Sequence, residues 1–209
     1  MRLILVRHGQ TEWNQLGRIQ GRTDIPLNDT GIMQARAAGE WLSQRRIDAV
    51  YSSPMQRAFD TATEIARPHG LPVISLDDII EIDFGLWEKK TADELKKLYP
   101  EYWNDWSWHL DEEKSANMQA ESAYTILNRV KRALNSIFEE NTAGSTAVVV
   151  SHTMPIKLIM ANAIGLPLKS LQSIKVGNCG ICELDMNTDM SGSLITWNES
   201  GYLARKGLI

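Results

Sequence analysis

The chain is poor in cysteine, and this scarcity excludes a disulfide-stabilised scaffold. Its 209 residues include two cysteines, Cys179 and Cys182. They form a single C-x-x-C pair with no second pair of ligands, in a stretch whose neighbours are typical of strand and turn. On a strand, residues three apart point to opposite faces. We therefore predict two ordinary reduced thiols, no zinc site and a cytoplasmic location.

The chain also lacks an excess of basic charge and any long apolar run. Its formal net charge is −4, so we expect no nucleic-acid partner. No apolar stretch approaches the ~18 residues that a membrane helix needs. The amino-terminal residues do not show the charged and apolar regions of a secretory signal, and no membrane partner is expected.

The remaining composition is that of an ordinary globular protein. Hydrophobic residues make up 43% and charged residues 23% of the chain, which predicts a single domain over residues 1–209. Strand-like apolar runs alternate with helix-like segments, so we expect an α/β fold with a mostly parallel sheet flanked by helices. Residues from about 89 to 118 are charged and aromatic instead, which predicts a helical insertion outside the sheet.

Two apolar runs end in histidine. Leu3-Ile4-Leu5-Val6 is typical of a strand buried on both faces, and Arg7-His8-Gly9 follows it directly. The run Ala147-Val148-Val149-Val150 leads in the same way to His152, beside a predicted helix start. Reactive groups in open α/β sheets collect at the carboxyl ends of strands. Both histidines are therefore expected at one edge of the sheet.

An arginine and a glutamate occupy similar positions. Arg57 lies early in a predicted helix that follows a strand ending in Ser52-Ser53, and Glu81 lies between two isoleucines after a third short strand. Apolar neighbours raise the pKa of a carboxyl group by desolvation. A solvated cap at a strand end is the alternative interpretation of each residue taken alone.

Together these side chains form a set with defined chemistry. Arg7 and Arg57 offer planar N–H forks that match phosphoryl oxygens. One imidazole is then able to attack phosphorus, while a neutral Glu81 protonates the leaving oxygen. Metal binding by His8 and His152 is the alternative, but a third ligand at metal spacing is missing and the arginines repel a cation.

Two further stretches leave alternatives open. Residues 10–27 hold arginines, amides and glycines, which suit either a solvated loop or a loop that faces phosphate and substrate. The aromatic residues of the insertion suit either its own small core or the mouth of a pocket. Candidates for such a mouth are Phe84, Trp106, Trp108 and His109.

The ordered motifs resemble the histidine phosphatase superfamily, also called the phosphoglycerate mutase-like or RHG family. The resemblance covers nearly the whole chain and implies a three-layer phosphoglycerate mutase-like fold with the helical insertion over the active site. The motifs that carry it are Leu5-Val6-Arg7-His8-Gly9, Ser52-Ser53-Pro54-Met55-Gln56-Arg57-Ala58, Glu81-x-x-x-Gly85-x-Trp87-Glu88 and Val150-Ser151-His152.

The resemblance also implies roles for individual residues. His8 corresponds to a nucleophile that becomes phosphohistidine, and Glu81 to the proton donor that later activates water. No metal or cofactor is implied. The residues that correspond to phosphoryl or substrate contacts are Arg7, Arg57, His152, Asn14, Gln20, Gly21 and Thr153.

Within the family the chain is most similar to the phosphatases, because the insertion lacks the paired arginines expected of a mutase. It resembles metal-independent phosphoserine phosphatases and the broad-specificity and α-ribazole phosphatases, although Phe84 stands where the phosphoserine enzymes carry a histidine. We expect a small phosphate ester as substrate, and a homodimer as the commonest assembly. A phosphoglycerate mutase-type phosphotransferase and a catalytically silent phospho-ligand binding protein are the alternatives.

Overall fold

The apolar run Leu3-Ile4-Leu5-Val6 lies at the centre of the sheet in this computed structural model. The structure describes residues 1–209 except for the side chain of Trp106. The sheet has six strands in the order β3-β2-β4-β1-β5-β6. The pairs β1–β4, β4–β2 and β2–β3 are parallel, whereas β5 and β6 join as antiparallel strands. This confirms the predicted α/β fold with a mostly parallel sheet. The strands are β1 (Arg2–Arg7), β2 (Ala49–Ser52), β3 (Val73–Ser75), β4 (Thr146–Ser151), β5 (Ile181–Met186) and β6 (Gly192–Glu199).

Helices cover both faces of this sheet. Short 3₁₀ segments connect them at Arg67–His69, Asp77–Ile79, Gly85–Trp87, Trp106–Leu110 and Leu168–Ser173. None of the helices in the described chain has the length and apolar character to cross a membrane. The helices are α1 (Glu12–Gln15), α2 (Asp29–Leu42), α3 (Gln56–Ala66), α4 (Ala92–Leu98), α5 (Pro100–Asn104), α6 (Glu112–Asn117), α7 (Ala123–Glu140), α8 (Thr153–Ile164) and α9 (Gly201–Ala204).

Strand β1 is buried on both sides because its side chains alternate between two cores. Leu3 and Leu5 pack in the core that α7 and α8 complete, while Ile4 and Val6 pack in the core of α2, α3 and α9. The period-2 alternation of a strand explains this division. A continuous apolar run is the sequence that a strand between two helical layers requires.

The two cysteines lie in different cores, Cys182 from β5 and Cys179 from the turn that precedes β5. Cys179 packs in the core with α2 and α3, and Cys182 in the core with α7 and α8. Both are free and buried, as predicted. Burial raises the pKa of Cys179 to about 12 and that of Cys182 to about 11, so neither is a reactive thiolate at neutral pH.

The predicted insertion forms α4, α5, a 3₁₀ turn and α6, packed around a small core that it shares with Trp87, which precedes it in the chain. Trp87, Leu95, Trp108 and Met118 are its buried centre. It joins the rest of the protein through two backbone hydrogen bonds at Ile19. The N–H of Ile19 donates to the carbonyl of Lys90 at 2.9 Å, and its carbonyl accepts from the N–H of Lys89 at 2.9 Å. The insertion therefore lies against the long loop that follows β1.

Candidate active site

The predicted site residues meet in one pocket at the carboxyl ends of β1 and β4. The pocket encloses about 690 Å³ of space, including its open mouth. His152 is fully buried beside it, with its ring centroid 5.1 Å from that of His8. The sequence-predicted residues that line the pocket are Arg7, His8, Asn14, Gln20, Gly21, Arg57, Glu81, Phe84 and Thr153.

His8 has a fixed tautomer. Its Nδ1 lies 2.7 Å from the carbonyl oxygen of Gly9, and because a carbonyl only accepts, Nδ1 carries the proton. The lone pair therefore belongs to Nε2. Burial, followed by the charges of Arg57 and Arg7, holds the pKa of His8 well below its usual 6.5. His8 is thus a neutral imidazole with its nucleophilic nitrogen unprotonated.

His152 is held by a serine from the neighbouring strand end. Its Nε2 lies 2.8 Å from Oγ of Ser53, and its Nδ1 has no hydrogen-bond partner in the described protein. Burial and the charge of Arg57 hold its pKa well below 6.5. A buried polar atom without a partner is unusual and marks a place where a ligand is expected to bind.

Two guanidinium groups border the same space. Arg7 Nη1 donates to the carbonyl of Val176 at 2.8 Å, and Arg57 donates to the carbonyls of Thr23 at 3.0 Å and Gly21 at 2.8 Å. The Nε of each arginine is buried and has no partner among the described residues. These backbone contacts fix both forks, and the spare N–H groups suit an anion with several oxygens.

Glu81 is held at the amino terminus of α8. One of its carboxyl oxygens accepts from the backbone N–H groups of Ile82 and Met154 at 3.0 and 3.1 Å, and the other from that of Thr153 at 3.1 Å. These donors and Arg57 favour the ionised form, but burial is the larger effect and raises the pKa of Glu81 above its usual 4.5. A buried carboxyl with a raised pKa is suited to donate a proton.

The loop after β1 presents two amide groups. Thr11 caps α1 and donates through its Oγ1 to Oε1 of Gln20 at 2.8 Å. The Oδ1 of Asn14 accepts from Nδ2 of Asn178 at 3.1 Å. Because the oxygen of each amide is engaged in this way, the NH₂ groups of Asn14 and Gln20 are the atoms left to donate to a bound ligand.

Sequence reasoning did not single out Lys157 and Met154, which line the pocket from α8. Lys157 lies four residues after Thr153, and residues at this spacing share one helix face. The signal for Lys157 was therefore present once α8 was predicted to start beside His152. Ser53, which fixes His152, was visible only as a small polar residue at a strand end.

Of the four residues predicted to form the mouth of the pocket, the prediction is wrong for two. Phe84 lines the pocket, but Trp108 and His109 are buried in the insertion, because tilted and edge-on aromatic rings surround Trp108 there. None of the described side chains of the insertion lines the pocket; they pack behind Ile19 and Phe84, which do line it. The side chain of Trp106 lies outside the described part of the chain.

Gly21 allows the loop to reach Glu88, whose carboxylate accepts from the backbone N–H groups of Arg22 at 2.7 Å and Thr23 at 3.2 Å. A Cβ at Gly21 would overlap that carboxylate, and the φ angle of Gly21 is +53°. We expect Gly21→Ala to lower the free energy of unfolding by roughly 2–4 kcal/mol, from backbone strain plus lost hydrogen bonds. Thermal and denaturant unfolding measure this change.

Gly17→Ala is the matched control. Gly17 lies on the same loop with a φ angle of +63°, and a Cβ there meets nothing within 4 Å. This variant therefore carries the strain alone, about 1 kcal/mol. Equal losses in the two variants would show that the contact with Glu88 does not stabilise the loop.

The donor set of the site favours an anion over a cation. In the described part of the chain, no group of three or more His, Cys, Asp or Glu side chains is placed to hold a metal ion. The pocket instead combines four cations, Arg7, Arg18, Arg57 and Lys157, with a single carboxyl, Glu81. Two forked cations beside a neutral nucleophilic imidazole and a proton-donating carboxyl are suited to transfer of a phosphoryl group.

Comparison with known proteins agrees with this chemistry. The family model of the histidine phosphatase superfamily (branch 1) matches residues 3–200. The chain is 37% identical over 187 residues to phosphoserine phosphatase 1 of Hydrogenobacter thermophilus, covering 89% of this chain and 87% of that protein. It is 31% identical over 203 residues to a probable phosphoglycerate mutase GpmB of Yersinia pestis, covering 97% and 90%.

A solved structure has the same fold. The crystal structure of phosphoserine phosphatase from Entamoeba histolytica in complex with 3-phosphoglyceric acid superposes with a TM-score of 0.81 at 31% identity. The match covers 97% of this chain and 98% of that chain. The helical layers and the sheet described above are therefore shared over nearly the full length of both proteins.

Proposed function

Because this chain belongs to the histidine phosphatase superfamily and is a phosphatase, we propose that it hydrolyses small phosphate monoesters through a phosphohistidine on His8. The observation that carries this proposal is the hydrogen bond from His8 Nδ1 to the Gly9 carbonyl. It leaves Nε2 free to attack in a pocket that also presents Arg7 and Arg57.

In the first step, the Nε2 lone pair of His8 forms a bond to phosphorus as the phosphorus–oxygen bond of the ester breaks. The leaving oxygen takes the proton of the neutral Glu81 carboxyl, and the alcohol departs. The positive charge that develops on the imidazole ring is stabilised by the Gly9 carbonyl. The guanidinium groups of Arg7 and Arg57 balance the charge on the phosphoryl oxygens.

In the second step, ionised Glu81 takes a proton from a water molecule, whose oxygen attacks phosphorus. The bond between phosphorus and Nε2 breaks, inorganic phosphate leaves, and Glu81 is again protonated. His8 recovers its lone pair. The guanidinium groups of Arg7 and Arg57 supply the charge stabilisation throughout, and a neutral His152 offers its unpartnered Nδ1 for a hydrogen bond with the phosphoryl group, so we propose that the reaction needs no metal ion.

A trapping experiment tests the proposal. The enzyme is mixed with a radiolabelled phosphate ester, quenched within milliseconds in base, and digested for peptide mapping. We expect label on the peptide that contains His8, stable in base and lost in acid, and turnover that survives EDTA. Label on another residue, or turnover that stops with EDTA and returns with a divalent cation, would overturn the mechanism.

The dependence of rate on pH follows from two shifted pKa values. His8 attacks when unprotonated, and its pKa lies well below 6.5. Glu81 donates when protonated, and its pKa lies above 4.5. We expect kcat/KM to fall on the acid side with a midpoint below pH 6.5 and on the alkaline side with a midpoint above pH 4.5, giving an acidic-to-neutral optimum. A rate still rising above about pH 9 would contradict these roles.

The similarity to a probable phosphoglycerate mutase favours a second candidate function, transfer of phosphate between hydroxyl groups. Assays of phosphate release and of isomerisation, run side by side on 3-phosphoglycerate, separate the two. We expect release to be faster. Tight binding of phosphate esters without turnover at any pH would instead indicate a phospho-ligand binding protein, in which Glu81 has no purpose.

A further inference from the structure

A second, shallower groove adjoins the pocket. Arg7, Thr153 and Lys157 line both spaces, and the groove continues over Lys175 and Asn198. Its volume is about 750 Å³, including its open side. A ligand whose phosphoryl group lies between Arg7 and the catalytic histidine therefore has room to extend toward Lys175.

The groove is strongly positive in a chain that is negative overall. Arg7, Lys157 and Lys175 line it, and none of its lining residues is acidic. Among the described residues, none of these three cations forms a salt bridge. The chain as a whole has a net charge of −4. Unpaired cations concentrated beside an active site attract an anionic part of a ligand.

Lys157 is held in place by one hydrogen bond and keeps donors to spare. Its Nζ donates to the carbonyl of Leu171 at 2.8 Å, which leaves two of its three N–H groups for a ligand. Burial lowers the pKa of Lys157; the charges of Arg7 and Lys175 act in the same direction, and Glu81 opposes them. A bound anion relieves the repulsion between these cations.

The backbone around Lys175 is tied to the catalytic elements. Its carbonyl accepts from Nε1 of Trp197 at 3.0 Å, and the next carbonyl, that of Val176, accepts from Arg7 at 2.8 Å. Two residues further on, Nδ2 of Asn178 donates to the carbonyl of His8 at 3.0 Å. The backbone at Lys175 is therefore fixed relative to Arg7 and His8, and the exposed side chain of Lys175 extends from this fixed point into the groove.

We propose that Lys157 and Lys175 form a second anion subsite, and that the substrate is a phosphate monoester carrying a carboxylate or another anionic group near the ester oxygen. This inference rests on the proposed function, because it places the phosphoryl group at Arg7 and His8. Ammonium groups act as point charges and suit a carboxylate, whereas the forked Arg7 and Arg57 suit the phosphoryl oxygens.

The test compares substrates that differ in one group. O-phosphoserine and O-phosphoethanolamine differ by a carboxylate, as do 3-phosphoglycerate and glycerol 3-phosphate. We expect the wild-type kcat/KM to be at least about tenfold higher for the carboxylate member of each pair. Raising the salt concentration should narrow the difference, because the groove is open to solvent.

Charge-removing variants assign the effect to the two lysines. Lys175→Gln should lower kcat/KM for the carboxylate substrates about tenfold, mainly through KM, and leave the partner substrates within about twofold. Lys157 also lines the phosphoryl pocket, so Lys157→Gln should lower kcat/KM for both members of each pair, with a loss about tenfold larger for the carboxylate member. Lys175→Arg and Lys157→Arg should keep most of the discrimination. Lys169→Gln is the matched control, since it removes one exposed lysine charge outside both cavities.

Hydrolysis of p-nitrophenyl phosphate distinguishes a failure of the anion subsite from a failure of the proposed phosphatase function. If this ester is hydrolysed but the wild-type kcat/KM is the same for both substrates of each pair, the anion subsite is refuted while the phosphatase mechanism stands. The subsite is also refuted if the Gln variants lower kcat/KM by the same factor for both substrates of a pair. If no ester is hydrolysed, the failure lies with the proposed function. Lys175 is exposed, so its variants are expected to fold.

Discussion

Replacing His8 with alanine is expected to lower kcat by at least about 10⁴-fold for every phosphate ester, because the atom that attacks phosphorus is removed. Steady-state release of phosphate measures the loss, and the acid-labile label should disappear with it. His69→Ala is the control, since His69 lies in the 3₁₀ turn after α3 and does not line the pocket. Its turnover should stay near that of the wild type.

The binding of phosphate distinguishes a lost nucleophile from a lost fold. Arg7, Arg57 and His152 remain in His8→Ala, so inorganic phosphate should still raise the unfolding temperature of the variant by ligand linkage. Arg57→Ala should behave in the opposite way and lose this stabilisation by phosphate. Turnover by His8→Ala at a rate near that of the wild type would refute the covalent mechanism, whatever its effect on stability.

The sequence was sufficient to predict that β1 and β4 deliver His8 and His152 to one place. An apolar run with no polar interruption has to be buried on both faces, and parallel strands that are neighbours end at the same edge of the sheet. The structure confirms that β1 and β4 are paired in parallel, with Arg7 opposite Ser151. Hydrophobic pattern together with the rule on strand ends thus predicts the shared edge, whereas the pairing of β1 with β4 is known only from the structure.

The contacts that tune the site were not predictable in the same way. The carboxyl of Glu81 accepts N–H groups from residues 153 and 154, which are more than seventy positions later in the chain. Ser53 and His152 are 99 residues apart. Such pairings depend on the relative placement of loops, which no local periodicity encodes. The sequence indicated that Glu81 is desolvated, but not which donors face it.

The aromatic insertion shows a different limit. Charged and aromatic residues in one stretch suit a pocket wall and a small core equally well. Trp108 lies in the core because Trp87, from outside the insertion, packs against it with ring centroids 5.2 Å apart. A partner outside the stretch decided the outcome, so composition within residues 89–118 was not enough to separate the two possibilities.

Glu81→Gln is expected to lower kcat about 10²- to 10⁴-fold for alkyl phosphates, because the leaving alkoxide then lacks a proton donor. For p-nitrophenyl phosphate the first step should be nearly unaffected, since p-nitrophenolate is a good leaving group. The second step still needs Glu81 to activate water. We therefore expect a rapid burst of about one p-nitrophenolate per enzyme, followed by slow turnover and accumulation of phosphorylated His8.

The amide differs from the carboxyl in one structural respect. Both oxygens of Glu81 accept backbone N–H groups at the start of α8, and glutamine supplies only one acceptor. Glu81→Ala is therefore made in parallel, and the unfolding temperatures of both variants are measured. Both variants should show the burst and should lose the alkaline limb of the pH profile, because the group whose raised pKa sets that limb is gone. An unchanged alkaline limb, or a first step slowed equally for p-nitrophenyl and alkyl phosphates, would assign the proton transfer to a different residue.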